Sequence, residues 1–337
     1  MANKGQTKIE SIGKGEFISQ LFNGIGYKNE PQQRYSDVNN IYSTAFTLFM
    51  EGIDFNLVYT PLKHLGYKTA LNLFGKLYAN GFAPAGVTYT IALSARFKAE
   101  DIVQLWSGIV AAAKEHSVEK LGLDLNSSMT GLTISASGVG MMERKVEESI
   151  PQVEDNSLIC ITGNVGAAYM GLHVLERERV MFDKLTKEQA EKYVQPDLSK
   201  YKYILSQYLS PEINPKMLEQ FRSAGMMPAM GSFIERGLAR AVAELCTRSG
   251  MGARIFLEHV PIASQTMEMA REINIEAVTA AMNGGDDYKF VFVIPLSYHE
   301  KFHKEFPNMD VIGHLTKKQQ GATLVMPQGN EVSIKAL

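Results

Sequence analysis

The sequence predicts an α/β protein of the mixed (α+β) kind with two domains, and three observations support this prediction. The chain has 337 residues, enough for two hydrophobic cores. Strand-like apolar runs alternate with segments whose apolar residues recur every three or four positions. The mixture occurs in both halves, and a boundary near residues 143–151, between two series of strands and helices, predicts domains 1–148 and 149–337.

The first half is predicted to alternate between helix and strand. The helix over 61–79 is indicated by Leu62, Leu65, Leu73 and Leu77, although Gly66 and Gly75 weaken the pattern. In chain order the predicted elements are a helix at 16–22, a strand region at 38–55, a helix at 61–79, a strand at 87–93, a helix at 99–116 and a strand at 132–138. Three strands are too few to close a barrel, so we expect their open edges to pair with another chain.

The second half begins with an apolar strand, continues with a glycine-containing loop and a helix, and ends in further strands and helices. A charged, tyrosine-rich segment at 183–215 is expected to be an irregular or helical surface insert. In chain order the predicted elements are a strand at 157–162, helices at 167–176, 215–224 and 234–249, a strand at 253–259, a helix at 263–273 and a strand at 290–295.

Composition excludes several classes of function. The net charge of −2 and the absence of basic clusters argue against a nucleic-acid partner. No apolar run reaches the roughly 18–20 residues of a membrane span, and the N-terminus lacks a secretory signal pattern, so we expect no membrane partner and a cytoplasmic location. Cys160 and Cys246 lie in apolar contexts, as buried reduced thiols do.

The segment Asn283–Tyr288 is the most informative in the chain, because it places two glycines and two carboxylates directly before an apolar strand. Glycines allow close backbone approach, and a strand holds the acids in place. Asp286, Asp287 and Tyr288 are therefore candidate substrate or metal ligands. The alternative is a capped turn with solvated acids.

A second candidate site is the loop that contains Gly163, Asn164 and Gly166, between a predicted strand and a predicted helix. Backbone N–H groups at such a turn bind anions, and the helix dipole assists them. An ordinary tight turn explains the same residues equally well.

Two further acid or histidine patterns are weaker. Asp124 lies in a short polar stretch before a predicted strand, where an acid more often forms a turn than binds a ligand. His299 and His303 match His-Glu-x-x-His, the spacing of zinc proteases, but their segment is charge-rich. We interpret that match as a coincidence on a surface helix.

Together with residues 59–68 (Tyr-Thr-Pro-Leu-Lys-His-Leu-Gly-Tyr-Lys), these motifs resemble the thiamine-monophosphate kinase family, which is related to aminoimidazole ribonucleotide synthetase. The resemblance covers roughly residues 22–325. It implies a two-domain fold whose N-terminal domains share a β-barrel in a dimer, with ATP and Mg²⁺ as cofactors. The implied reaction transfers a phosphoryl group from ATP to thiamine monophosphate, and several Mg²⁺ ions neutralise its charge.

The resemblance also exposes departures at positions where the family has metal-binding aspartates. Lys28, Lys76 and Arg236 occupy such positions, while Asp124 and the pair Asp286–Asp287 retain acids. At ~4 Å and an effective dielectric constant of ~20, each unit-charge contact is worth roughly 4 kcal/mol, so these cations oppose Mg²⁺ binding. We therefore expect Mg²⁺ binding to be impaired, with at most a weak metal ligand in Asp124.

Two functions follow as alternatives. The first is a degenerate member, a pseudoenzyme with a binding or regulatory role, in which Lys28, Lys76 and Arg236 converge near Asp124 in the dimer and bind a small-molecule phosphate ligand. Internal ion pairing of these cations is the competing interpretation. The second is an active thiamine-phosphate kinase, or a related ATP-using enzyme, with a rearranged metal site. The expected partner is a second copy of the chain, or an active paralogue in a heterodimer.

Overall fold

The computed structural model describes residues 9–186, 188–189, 193–194 and 196–334, which form two β-sheets with flanking helices. The first sheet has five strands in the order β1-β2-β5-β3-β4, and the second has seven in the order β12-β11-β8-β10-β6-β9-β7. The predicted mixed α/β fold is confirmed. No helix among the described residues is long and apolar enough to cross a membrane.

The first sheet is built from long strands that pair mainly antiparallel, with β3 and β4 parallel. Residues alternate between a buried face that packs on two helices and an open face. Its elements are α1 (Ile9–Ile12), α2 (Lys14–Leu21), β1 (Arg34–Ser36), β2 (Asn40–Met50), α3 (Leu62–Tyr78), β3 (Ala83–Leu93), α4 (Ala99–Glu115), β4 (Lys120–Ser127), β5 (Thr133–Glu143) and α5 (Arg144–Glu147).

The second sheet has its centre in short, fully buried strands. Its elements are β6 (Leu158–Ile161), α6 (Ala167–Asp183), α7 (Lys202–Leu209), α8 (Met217–Ala224), β7 (Met230–Ile234), α9 (Leu238–Ser249), β8 (Gly252–Phe256), α10 (Ser264–Glu272), α11 (Ala277–Asn283), β9 (Lys289–Ile294), α12 (His299–Glu305), β10 (Asp310–Thr316), β11 (Ala322–Val325) and β12 (Glu331–Ser333). One hydrophobic cluster joins the two sheets, because Leu73 and Phe74 of α3 share it with Phe233 and Phe292.

Several sequence predictions need correction. Residues 234–249 were predicted as one helix, but β7 ends at Ile234 and α9 begins only at Leu238. β7 is short and buried, and periodicity does not distinguish such a strand from a buried helix segment. Asp124 lies inside β4 and not in a loop before a strand. β1, β10, β11, β12 and α11 were not predicted, and the insert at 183–215 contains the regular helix α7.

The two glycines that weaken the helical pattern of α3 turn out to be packing positions within an unbroken helix. A Cβ atom at Gly75 would lie 2.4 Å from Cε2 of Phe233, and one at Gly66 would lie 2.0 Å from the backbone oxygen of Leu105. In α4, a Cβ atom at Gly108 would lie 1.9 Å from the backbone oxygen of Lys63. α3 and α4 therefore approach each other so closely at Gly66 and Gly108 that only hydrogen atoms fit between them.

The open face of the first sheet carries large apolar side chains. Phe46, Leu48 and Met50 of β2 are exposed by 58%, 53% and 37%, and Val139 and Met141 of β5 continue the same face. An exposed apolar surface of this kind marks an interaction site in a folded protein.

We predict that Gly66→Ala destabilises the protein by roughly 1–3 kcal/mol or more, because α3 and α4 must move apart to admit the methyl group. The matched control is Gly15→Ala in the exposed helix α2, where nothing lies within 4 Å. It should be neutral or slightly stabilising. Urea unfolding measures both, and equal stability of the two variants would contradict the close helix contact.

Candidate functional site

The candidate site lies where one face of α3 meets the second domain. Lys68, Asn72 and Lys76 are four residues apart, so they lie on one side of the helix. They face the segment between β7 and α9 and the segment that precedes β9. Backbone hydrogen bonds hold these two segments together, from Asp286 N–H to Glu235 O (2.8 Å) and from Tyr288 N–H to Ile234 O (3.2 Å).

Lys68 of α3 forms an ion pair with Asp286 in the segment that precedes β9. Lys68 Nζ donates a hydrogen bond to Asp286 Oδ2 at 3.0 Å, and the ammonium also lies 3.8 Å from the ring centroid of Tyr208. The side chain of Lys68 is 4% exposed and that of Asp286 is 28% exposed. A buried ammonium needs such partners, so this contact fixes the position of the Asn283–Tyr288 segment on α3.

Glu235 is the second acid that contacts α3. Its Oε1 accepts a hydrogen bond from Asn72 Nδ2 at 3.0 Å and forms an ion pair with Lys76 Nζ at 3.3 Å. The Oδ1 of Asn72 in turn accepts a 2.7 Å hydrogen bond from buried Thr47. Lys76 is therefore engaged in internal ion pairing, which was the competing interpretation of this residue.

Asp287 faces away from this network and caps α6. It is 2% exposed, and its carboxylate accepts hydrogen bonds from the N–H groups of Gly166 (2.9 Å) and Ala168 (3.4 Å). Gly166 precedes the helix with a φ of 82°, which favours glycine. Burial raises the pKa of Asp287 to about 7, and the two N–H groups oppose that shift. An internal carboxylate thus occupies the helix N-terminus where the sequence predicted an external anion.

The backbone around Asp287 is unusual. Asp286 and Tyr288 have φ values of 64° and 53°, a region that residues other than glycine rarely adopt. These turns send the side chains of Asp286 and Asp287 in different directions, one to α3 and one to α6. The neighbouring Tyr288 is fully buried, and its ring packs against Phe233.

An interdomain cleft of about 520 Å³ opens beside the network, with Asp286, Glu235 and Arg236 on its wall. Tyr59 donates a 2.5 Å hydrogen bond to Glu176, and this bond holds the pKa of Glu176 below its usual value. Arg236 is exposed and has no hydrogen bond or ion pair with any described residue. The cleft therefore offers aromatic rings and one uncommitted guanidinium to a ligand.

The remaining predicted site residues do not join this cleft within one chain. Asn164 donates a hydrogen bond to Tyr203, Gly163 lies beside Lys289, and Lys28 is exposed in the loop before β1. Asp124 is aligned with Thr90 on the open face of the first sheet, whereas Lys76 contacts β2 from the helix-covered side.

β2 and β4 are three strand spacings apart, about 14 Å, so one chain does not bring Asp124 and Lys76 together. Their convergence across a dimer stays a prediction, as do the ligand roles of Gly163 and Asn164.

The described residues do not fit the Mg²⁺ ions that the resemblance implies, since within one chain they contain no group of three acidic, histidine or cysteine side chains that could hold a metal ion. Asp286 and Glu235 are instead paired with lysines. His299 and His303 lie exposed on the seven-residue helix α12 with ring centroids 4.8 Å apart.

Sequence reasoning missed Lys68, Asn72 and Glu235. The signal that could have found the first two is a lysine and an asparagine four positions apart among the apolar residues in the middle of the helix, where a buried polar side chain needs a partner. Glu235 has no comparable signal, because its partners come from more than 150 residues away in the chain.

Comparison with known proteins places this architecture in a class. The structure of AaThiL complexed with AMPPCP and TMP matches with a TM-score of 0.79 at 17% identity, covering 98% of this chain and 97% of that one. The hydrogenase maturation protein HypE in complex with ATP matches with a TM-score of 0.60 at 13% identity, covering 99% and 96%. The fold of this chain is therefore similar to the fold of these two structures.

The sequence comparison is more specific. The thiamine-monophosphate kinase of Synechococcus elongatus is 26% identical over 275 residues, which cover 80% of this chain and 78% of that protein. No family model matches the chain. The resemblance to thiamine-monophosphate kinases that the motifs predicted is therefore confirmed.

We predict that Asp286→Ala destabilises the protein by roughly 2–4 kcal/mol, because it leaves Lys68 buried without its carboxylate. The double variant Lys68→Met/Asp286→Ala should lose less than the sum of the single variants. The control is Asp183→Ala, which breaks an exposed i,i+4 pair with Arg179 and should cost at most about 0.5 kcal/mol. Additive losses in denaturant unfolding would show that the two groups are not coupled.

Asp287 should make stability depend on pH. Its pKa rises from 3.8 to about 7 on folding, so the folded chain retains a proton that the unfolded chain releases. The resulting stabilisation is present below pH ~4 and is lost as pH rises to ~7, a difference on the order of 4 kcal/mol.

Asp287→Asn should therefore flatten the dependence of the unfolding free energy on pH between pH 4 and 7. Asn164→Ala is the control, since it changes the same loop without removing a titratable group. Parallel profiles for the wild type and Asp287→Asn would exclude the proposed protonation.

Proposed function

We propose that this chain is a degenerate thiamine-monophosphate kinase-like protein that binds a small phosphate-bearing ligand and has little or no Mg²⁺-dependent phosphoryl transfer. The observation that carries the proposal is the pairing of Asp286 with Lys68 and of Glu235 with Lys76 at the interdomain cleft. A carboxylate already neutralised by a lysine at about 3 Å is a poor ligand for a divalent cation, because the ammonium repels that cation.

The ligand class follows from the uncommitted group at the cleft. Arg236 presents a guanidinium, which binds phosphate through parallel hydrogen bonds. Tyr59 and Tyr169, both half-buried, line the same cleft and offer surfaces for a planar ring. A nucleotide or a heteroaromatic phosphate carries both a phosphate group and a planar ring. The structurally similar protein HypE is described in complex with ATP. Binding without transfer suits a regulatory role in the cytoplasm.

The alternative is an active kinase with a rearranged metal site. It is favoured by the similarity to proteins named thiamine-monophosphate kinase over four fifths of the chain. Such an enzyme needs acids from outside the arrangement described here, and in a dimer the exposed Asp124 of a second chain is one source. The structural resemblance to AaThiL, a protein complexed with AMPPCP and TMP, is compatible with either function.

Calorimetric titration with ATP, with and without Mg²⁺, followed by an assay for thiamine diphosphate separates the two functions. We expect ATP to bind with an affinity that Mg²⁺ does not increase, and we expect no product from thiamine monophosphate. Arg236→Ala should weaken binding about tenfold or more, the scale of one lost charged hydrogen bond. Product formed by the wild type and lost in Arg236→Ala would establish the active alternative, while product in both indicates a contaminating enzyme.

We further propose that the chain forms a homodimer through the open face of the first sheet, with residues 1–148 as the dimerisation domain and 149–337 as the second domain. Phe46, Leu48 and Val139 supply an exposed apolar surface on that face. β1 and β4 end the sheet on its two sides, so their free backbone groups are available to a second chain. An active paralogue would use the same surface in a heterodimer.

Sedimentation analysis should find a dimer at micromolar concentration. Leu48→Glu should raise the dissociation constant on the order of 10²-fold or more, because it buries an unpaired charge in the interface. Val103→Glu is the control, since Val103 is 67% exposed on α4, away from the open face. A stable wild-type monomer would refute the homodimer, and co-purification with a paralogue would indicate the heterodimer.

A further inference from the structure

A second cleft, of about 1010 Å³, lies between the domains, apart from the cleft beside Arg236. Tyr67 of α3 and Glu115 of α4 form one wall, and α8 and the segment after α12 form the other. Lys289, the first residue of β9, lies in this cleft. No function proposed above uses it.

Lys289 is half-buried, yet its ammonium has no hydrogen bond or ion pair with a described residue. Its aliphatic chain packs beside Gly163, where a Cβ atom would lie 3.9 Å from Cδ and Cε. The adjacent Asp287 directs its carboxylate to the N–H groups of α6. The aliphatic part of the Lys289 side chain is therefore held in place, while its ammonium has no partner among the described residues.

The charged groups around Lys289 decide which ligand the cleft can accept. Asp287 and Glu212 act on its charge, and Glu115, Glu305 and Lys301 also line the cleft. Lys301 donates a hydrogen bond to the carbonyl oxygen of Ala224, and Glu115 accepts a 2.7 Å hydrogen bond from Tyr67. Acids outnumber bases on these walls, so the cleft disfavours an anionic ligand.

We propose that Lys289 is a covalent binding site for a small uncharged carbonyl compound, an aldehyde or ketone, held in this cleft as an imine. Nζ attacks the carbonyl carbon and forms the C–N bond, its protons pass to the carbonyl oxygen, and that oxygen leaves as water while the C=N bond forms. No oxidant or reductant takes part. Glu212, on the cleft wall, can take up and return the proton.

The position of the amine supports this assignment. Lys289 is half-buried in the cleft, its stem lies beside Gly163, and its ammonium has no partner among the described residues. A desolvated lysine in a cleft is a recognised arrangement for imine formation.

Labelling of the full chain with salicylaldehyde and cyanoborohydride tests the proposal, because the reductant converts the imine into a stable secondary amine. Peptide mass spectrometry then reports the site. At pH 7 we expect Lys289 to be labelled several-fold faster than the exposed Lys63 and Lys317. Lys289→Met should remove this fast phase and leave the slow labelling unchanged.

Equal labelling of Lys289 and the exposed lysines would overturn the proposal, as would a fast phase that persists in Lys289→Met. Thermal unfolding of Lys289→Met shows whether that variant is folded. If it is not, Lys289→Arg provides the second test, because it retains the stem and a charge but cannot form the imine. A fast phase that persists in Lys289→Arg would equally overturn the proposal.

Discussion

The contact between Lys68 and Asp286 is the interaction on which the arrangement of the site between the two sheets depends. Lys68 is almost completely buried, and removing an ammonium from water is costly unless a carboxylate and other dipoles replace the solvent. The carboxylate comes from a segment 218 residues further along the chain. Pairing this one buried charge therefore requires the segment before β9 to lie directly against α3.

The rest of the site depends on this contact between α3 and the segment before β9. With Asp286 held on α3, the next residue is directed to the opposite side, where Asp287 caps α6 and replaces an external anion. The positive φ values at Asp286 and Tyr288 are the conformational cost of this reversal. Glu235, hydrogen-bonded to the same segment through its backbone, comes within reach of Asn72 and Lys76.

The similarity to thiamine-monophosphate kinases and the chemistry of the cleft indicate different functions. The fold and the sequence similarity are those of thiamine-monophosphate kinases. The acids at the cleft are nevertheless engaged with cations of the same chain, and each engaged acid is one ligand fewer for a metal ion. A scaffold can persist after its original chemistry changes, because packing and metal binding depend on different residues.

The sequence by itself determined the fold class, the long helices α3 and α4, the glycine loop before α6 and the resemblance to thiamine-monophosphate kinases. These features depend on local periodicity and on short motifs, which a single sequence displays. Only the tertiary structure decided that β7 is a strand, that Asp124 faces away from Lys76, and that Lys68 is a partner of Asp286. Each of these features depends on contacts between residues that are far apart in the sequence. Local sequence patterns do not indicate such contacts.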